Sequence, residues 1–232
     1  HVGIYAIMGV KHGAPRCCIG VYDANAKRVI AELDDVFGFN WSEDGEGVLY
    51  SSAVVDTQNN RNINRVHRFD WQSEVNHTLY VYPDNAVFIG VSPAPNGGCF
   101  LGVKVNYGDT LMLYLNSEGK ATRLSSGKGF FEYIGEKNGR CYFSTDENAP
   151  MGHVLSIAAK DVEREGALVD GFAVALAETD ASLESVGLTD EGILAVYSRN
   201  ACSEMALYSF EGKKLREIAM PSEFGAISPA LL

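Results

Sequence analysis

Hydrophobic residues along the chain occur in short alternating or continuous runs, each ended by Gly, Asp or Asn. We predict that these runs are β-strands. The predicted strands lie at 2–10, 16–22, 47–52, 78–82, 99–105, 110–115, 140–144, 153–157, 193–198 and 205–210. A helical pattern occurs at 158–165 and 173–178, and both segments are short enough to be turns or loops. Regularly spaced short strands with turn residues between them predict an all-β fold.

Turns of similar composition recur along the chain, at 42–45, 95–98, 136–139 and 189–192. Each of these turns contains Gly and precedes a run that includes Tyr or Phe. Gly and Asn suit the positive φ angles of tight hairpins. The turns recur at intervals of about 40 to 50 residues, which is the length of a four-stranded propeller blade.

The repeat predicts a partial β-propeller, a single domain over 1–232 built from four-stranded antiparallel blades. We place a partial blade at 1–33, full blades at 36–83, 86–125, 129–179 and 182–220, and the start of another at 222–232. A β-sandwich also has evenly spaced strands and is the alternative, although sandwiches rarely repeat one turn motif four times. An arc of blades has open sheet edges, so either neighbouring sequence closes the ring or the chain associates with itself.

Composition narrows the classes of function. The chain has 232 residues and a net charge of −11, which argues against nucleic-acid binding because phosphate contacts need clustered Lys and Arg. No run approaches the roughly 18 apolar residues of a membrane helix. Five scattered cysteines without a CxxC pair favour reduced thiols in the cytoplasm. Because the chain begins with His1 rather than Met, we interpret it as part of a longer protein.

Five segments, in order along the chain, resemble the propeller of the prolyl oligopeptidase family. They lie at 39–50, 67–84, 142–150, 178–186 and 207–212. The most specific is 142–150, which is close to the family's aromatic-x-Thr-Asn-x-x-Ala-Pro segment. The resemblance spans about residues 3 to 225 and implies a seven-bladed propeller that covers an α/β-hydrolase domain and admits peptides. This chain lacks the Gly-x-Ser-x-Gly motif of that domain, so we predict no peptide hydrolysis by the chain alone.

The resemblance also implies that the propeller contributes side chains to a substrate-binding rim, from 36–83 and 86–125. Phe88 best matches an apolar residue just before a Gly, with core packing as the alternative role. For a second, aromatic position, Val36 aligns more naturally and Phe37 is one place off. The family's substrate-binding Arg has no counterpart at 99–115, where the segment containing Asn106 occupies the region. The rim candidates are therefore Phe88, Phe37 and Asn106.

The sequence gives no pattern typical of a metal site or of a catalytic pair of carboxylates. The five histidines, at positions 1, 12, 67, 77 and 153, have no metal-ligand spacing, and the carboxylates fall mainly in turns. We predict no metal site and no cofactor. The polar segment 56–64 is predicted to be an exposed loop between strands.

These observations favour a non-catalytic propeller portion of a prolyl oligopeptidase-like serine peptidase. Its predicted partners are the α/β-hydrolase domain of the same parent protein and short peptides. The alternative is a stand-alone propeller that acts as a binding or scaffold protein, without peptidase activity. A carboxylate-based glycosidase or lyase would need two buried acids facing a channel, and the sequence offers no such pair.

Overall fold

The structure is a computed structural model that describes residues 3–10, 17–164 and 171–219. These residues form four sheets of antiparallel strands, with short 3-10 turns at Pro95–Gly97 and Ala159–Asp161. The predicted all-β class is confirmed. Backbone contacts divide the chain into two compact units, His1–Arg123 and Leu124–Leu232. The division into one domain of five blades stays a prediction, and the predicted start of a blade at 222–232 lies outside the described residues.

The first sheet contains six strands in sequence order. They are β1 (Ile4–Val10), β2 (Cys17–Asp23), β3 (Arg28–Trp41), β4 (Gly47–Asp56), β5 (Arg61–Asp70) and β6 (Val75–Val81). The long strand β3 pairs with β2 through Val36 and with β4 from Val36 onward. Asp35, just before this change of partner, has a φ of 58°, in the left-handed region. The strand is therefore bent where it passes from one pairing to the next.

Three hairpins of this sheet use one turn design. Asp23, Asp56 and Asp70 each end a strand, and their Oδ1 atoms accept hydrogen bonds from the backbone N–H groups two and three residues later. The fourth loop residue, Lys27 or its equivalent Asn60 or Glu74, then adopts a positive φ. A carboxylate at the first turn position replaces water at two backbone donors, which is why Asp recurs there.

The polar segment 56–64 is only partly a loop, which corrects the prediction. Residues 57–60 form the turn, and β5 begins at Arg61. Asn64 is buried within β5, and its Nδ2 donates to the carbonyl of Ala86 at 3.0 Å. Because this bond satisfies one end of the buried amide, a polar sequence can continue as an interior strand.

The second sheet lies in the same unit and has the order β10-β9-β8-β7. Its strands are β7 (Phe88–Pro93), β8 (Cys99–Lys104), β9 (Thr110–Leu115) and β10 (Ala121–Arg123). One face of this sheet packs against Leu49 and Val66 of the first sheet, forming a shared core. The residues that it contributes include Ile89, Val91, Leu101, Val103, Leu113 and Leu115. A hydrogen bond also joins the two sheets, because Asn40 Nδ2 donates to the carbonyl of Val91 at 2.8 Å.

The unit Leu124–Leu232 contains two four-stranded sheets in sequence order. The third sheet consists of β11 (Phe131–Lys137), β12 (Arg140–Thr145), β13 (His153–Ala158) and β14 (Ala173–Leu176). The fourth sheet consists of β15 (Ser182–Leu188), β16 (Ile193–Arg199), β17 (Cys202–Tyr208) and β18 (Lys214–Ile218). Their core joins Tyr142 and Val154 to Ile193 and Ala195. The prediction of a turn or loop at 173–178 is wrong, because Ala173–Leu176 pairs with β13 and buries Leu176.

The turn between β3 and β4 is held by side chains as well as by its backbone. Ser42 Oγ donates to Asp44 Oδ1 at 2.5 Å, and Asp44 also accepts from the Glu46 N–H at 2.9 Å and from Arg68 Nη2 at 2.8 Å. Burial acts to raise the pKa of Asp44, but these hydrogen bonds and the Arg68 charge outweigh it and lower the pKa to about 2. The charged carboxylate therefore joins the turn to β5.

We predict that Asp44→Asn lowers the free energy of unfolding by about 1 kcal/mol at neutral pH, since the half-exposed ion pair is screened by water. The pKa is lower in the folded state, so this stabilisation is present above about pH 4 and is lost as the pH falls towards about 2. Urea unfolding at a series of pH values measures it. Equal losses of stability in the wild type and the variant on acidification would contradict the assignment.

Candidate functional site

Exposed apolar side chains are concentrated at one end of the strands between Val36 and Arg123. Cross-strand register puts the start of β7, the end of β8 and the start of β9 at one level. It likewise aligns Val36, Ser52, Arg65 and Val81 in the first sheet. We call this side the apolar end, and it carries the exposed residues Phe37, Val54, Val55, Val81, Phe88, Val105 and Tyr107. At the opposite end of the same strands, Val75 is the one large apolar residue that is exposed.

Two of the three rim candidates meet at the apolar end. The rings of Phe37 and Phe88 are stacked, with centroids 6.3 Å apart and planes 12° from parallel. Phe37 remains 42% exposed and Phe88 37% exposed. Val36, the residue that aligned more naturally, is buried in the core. The stacked pair, which we call the rim pair, therefore presents a flat aromatic surface to solvent.

The structure adds a cation that sequence reasoning missed. Lys104 lies directly opposite Phe88 in the β7–β8 ladder, and its Nζ donates to Thr110 Oγ1 at 2.7 Å. The family resemblance implies an Arg in the interval 99–115, and the cation that this interval holds is Lys104. An ammonium offers three hydrogen-bond donors, but it cannot form the planar two-donor fork of a guanidinium. The rim pair therefore has a positive charge beside it.

Asn106, the third candidate, uses its side chain inside its own loop. Its Oδ1 accepts from the N–H groups of Gly108 and Asp109, both at 2.8 Å, and its Nδ2 donates to Asp109 Oδ2 at 2.6 Å. Both ends of the amide are thus engaged, which favours a role in shaping the loop. The neighbouring Tyr107 is 98% exposed.

A buried serine–histidine pair lies within β4 and β5, and Ser52 is directly opposite Val36, the residue before Phe37. Ser52 Oγ is 2.9 Å from His67 Nε2, and Thr78 Oγ1 is 3.1 Å from His67 Nδ1. The ring of Tyr50 stacks on His67 at 4.7 Å, and the Tyr50 hydroxyl accepts from Asn76 Nδ2 at 2.6 Å. A catalytic serine–histidine pair would need access to substrate and a group that stabilises the imidazolium ion. His67 is 8% exposed and has a threonine at Nδ1, so the pair is structural.

Burial, reinforced by the Arg65 charge, lowers the pKa of His67. In the neutral ring one nitrogen donates a hydrogen bond and the other accepts one, which matches two hydroxyl partners. Protonation would require both hydroxyls to act as acceptors. The arrangement therefore holds three strands together best with a neutral imidazole.

A cavity of about 240 Å³ lies at the end opposite the rim pair. Its polar wall includes Asp44, Arg68 and Asn116, and its apolar wall includes Leu49 and Leu115. The Asp44–Arg68 ion pair is part of the turn described above. These charges are bonded to each other within the fold, so we assign the cavity no ligand.

Beyond these groups, residues 3–10, 17–164 and 171–219 offer few candidates for site chemistry. No group of three or more His, Cys, Asp or Glu side chains is placed to hold a metal ion there. No helix in that part of the chain is long and apolar enough to cross a membrane. Cys17, Cys18, Cys99, Cys141 and Cys202 are all unpaired thiols. His1 and His12, which were considered as ligands, lie outside the described residues.

We predict that His67 makes stability depend on pH near neutrality. Because the folded-state pKa is lowered, the stabilisation is fully present above about pH 6.5 and is lost as the pH falls through the folded pKa. His67→Gln does not titrate, so it should lose this part of the pH dependence and cost about 1–3 kcal/mol at higher pH. Urea unfolding between about pH 8 and 5 measures both effects.

His153 provides an internal reference for this experiment. Burial also lowers the pKa of His153, and its contribution is the same in the wild type and in His67→Gln. The difference between the two proteins therefore isolates His67. Parallel curves of stability against pH would exclude the proposed effect.

Comparison with known proteins gives one family. The family model for the prolyl oligopeptidase N-terminal beta-propeller domain matches residues 6–230. A search of the curated proteins finds no match.

Solved structures show the same fold. A structure from a study of two prolyl endopeptidases, concerned with inter-domain dynamics in catalysis and specificity, is 17% identical, with a TM-score of 0.74 over 94% of this chain and 33% of its own. Prolyl oligopeptidase B from Galerina marginata is 19% identical, with a TM-score of 0.76 over 97% of this chain and 35% of its own. Bound to a 25mer macrocyclization substrate, that enzyme is 18% identical, with a TM-score of 0.73 over 93% and 33%.

The chain thus spans about a third of the length of these structures. The family match covers nearly all of the chain, and the antiparallel sheets agree with propeller blades. The chain belongs to the prolyl oligopeptidase N-terminal β-propeller family.

Proposed function

We propose that this chain is the non-catalytic propeller portion of a prolyl oligopeptidase-type serine peptidase that cleaves short peptides. The observation that carries the proposal is the apolar end, where the rim pair and Lys104 lie among exposed apolar side chains. Contiguous exposed apolar surface marks interaction sites on soluble proteins. In this proposal the apolar end faces an α/β-hydrolase domain of the parent protein, and peptides pass between the two.

Each member of the rim has a role that fits its chemistry. Phe37 and Phe88 offer aromatic surface for an apolar side chain of the peptide. The Lys104 ammonium donates to a peptide carbonyl, while its bond to Thr110 holds it beside Phe88. The catalytic serine, histidine and aspartate come from the hydrolase domain. In one structure of Galerina marginata prolyl oligopeptidase B, the bound molecule is a 25mer macrocyclization substrate, which supports the proposed class of ligand.

The five unpaired thiols fit a reducing compartment. We therefore propose that the protein acts in the cytoplasm. Burial raises the pKa of Cys99 to about 12 and that of Cys141 to about 12, so both remain protonated and pack as small apolar side chains.

The edge strand β1 favours a second candidate function, a propeller that acts as a scaffold by self-association. Tyr5, Ile7 and Val10 are all more than half exposed on this strand. An exposed apolar edge strand is a site for pairing with another chain. Sedimentation of the 232-residue protein as a monomer at micromolar concentration would exclude this candidate.

The peptidase proposal is tested on the full-length gene product. We predict that Phe88→Ala raises the KM for a short peptide about 5- to 30-fold with little change in kcat, because the lost contact contributes about 1–2 kcal/mol of binding in the ground and transition states alike. Val75→Ala, which removes an exposed apolar side chain from the opposite end, should leave both constants unchanged.

One result would end the peptidase proposal, and another would end the role assigned to the rim. One is a gene that encodes no Gly-x-Ser-x-Gly segment, together with no labelling of the full-length protein by a fluorophosphonate serine probe. The other is an active peptidase in which Phe88→Ala and Lys104→Met both leave the KM unchanged. The first result would leave the scaffold function in place, and the second would remove the rim from substrate binding.

A further inference from the structure

The loop between β8 and β9 is ordered by its own side chains, although nearly all of it is exposed. Asn106 accepts two backbone hydrogen bonds and donates a third to Asp109, all within four residues. At the base of the loop, Lys104 donates to Thr110. Few conformations satisfy these bonds together, so the loop holds its shape before anything binds to it.

This ordered loop presents a side chain that does nothing for the fold. Tyr107 is 98% exposed, so its ring buries almost no surface against the described residues. A tyrosine can bury about 150–250 Å² when a partner covers it, with a hydroxyl available for a hydrogen bond. A large aromatic side chain on an ordered loop also loses little conformational entropy on binding. These properties are those of a contact residue.

The position of Tyr107 favours contact with a folded partner over contact with a short peptide. Lys104 is level with Phe88, and Tyr107 lies three residues further along the chain, in the loop that extends past the ends of β8 and β9. A peptide on the rim pair would lie at the level of the strand ends. Tyr107 extends beyond that level, so it would meet the surface of the domain that covers the peptide.

We infer that Tyr107 is a contact residue bound by the folded catalytic domain when the two domains close, and that Asn106 is the positioning residue that holds it ready. This inference rests on the proposed function. It also changes the role of Asn106, which supports a neighbouring contact and does not itself bind the peptide. The partner surface is expected to offer an apolar pocket with a hydrogen-bond acceptor for the phenol.

The first test is hydroxyl-radical footprinting of the full-length protein labelled with a fluorophosphonate probe. A tyrosine as exposed as Tyr107 is in this structure would be oxidised nearly as fast as free tyrosine amide. We expect oxidation of Tyr107 to be at least about five-fold slower, because a contact residue is buried in the closed protein. Oxidation at the rate of the free amide would overturn the inference.

The second test is kinetic and uses matched controls. Tyr107→Ala and Asn106→Ala should each lower kcat for a short peptide about ten-fold and leave the KM within about two-fold, because closure orients the catalytic groups and binding of the peptide is unaffected. Val75→Ala controls for loss of an exposed apolar side chain. Asn116→Ala controls for loss of an asparagine turn, since Asn116 Oδ1 accepts from the Glu118 and Lys120 N–H groups at the opposite end of β9.

The outcomes separate this inference from the proposed function. If the full-length wild type neither reacts with the probe nor cleaves peptides, both fail together. If the wild type is active and Tyr107→Ala raises the KM without changing kcat, Tyr107 contacts the peptide and the domain contact is wrong. If Asn116→Ala lowers kcat as much as Asn106→Ala does, the loss reflects general stability and the positioning role of Asn106 is wrong.

Discussion

The packing of the second sheet against the first determines where every candidate site residue lies. Leu49 and Val66 of the first sheet share one apolar core with Ile89 and Leu101 of the second. This core holds β3 and β7 side by side, and the bond from Asn40 to the Val91 carbonyl sets their relative position along the strands. Phe37 and Phe88 are far apart in sequence, and they stack because this packing places Phe37, which lies within β3, level with the start of β7.

Much of the fold could be predicted from the sequence, because strands and turns are signalled by neighbouring residues. The predicted strand at 110–115 coincides with β9, and that at 140–144 lies within Arg140–Thr145. Residues 173–176 were mistaken for a turn or loop, because a run of alanines and valines takes its structure from pairing with β13. The start of β5 was missed because its asparagines are bonded to a distant carbonyl, which no local pattern reveals.

The site was predictable in part. Phe88 and Phe37 were selected by family resemblance, whereas their stacking depends on packing between sheets and has no signal in either segment. Lys104 was missed because the family resemblance implies an Arg, not a Lys, in this segment. Asn106 was selected for its position, and the structure shows that its hydrogen bonds are internal to the loop. Sequence thus selected the three residues, cross-strand register shows how they lie relative to one another, and their role in a substrate rim stays a prediction.

The length of the β4–β5 hairpin affects how a molecule approaches the rim pair. These strands have ten residues each, whereas β8 and β9 have six. Because β4 continues for four residues past Ser52, its tip extends about 13 Å beyond the level of Val36. The β4–β5 hairpin of the first sheet therefore extends past one side of the aromatic surface. In the second sheet, β8 ends level with Phe88. An incoming chain meets the twelve hairpin residues 53–64 on the side of the first sheet and only the five-residue loop 105–109 on the side of the second, so access to the two aromatic rings is one-sided.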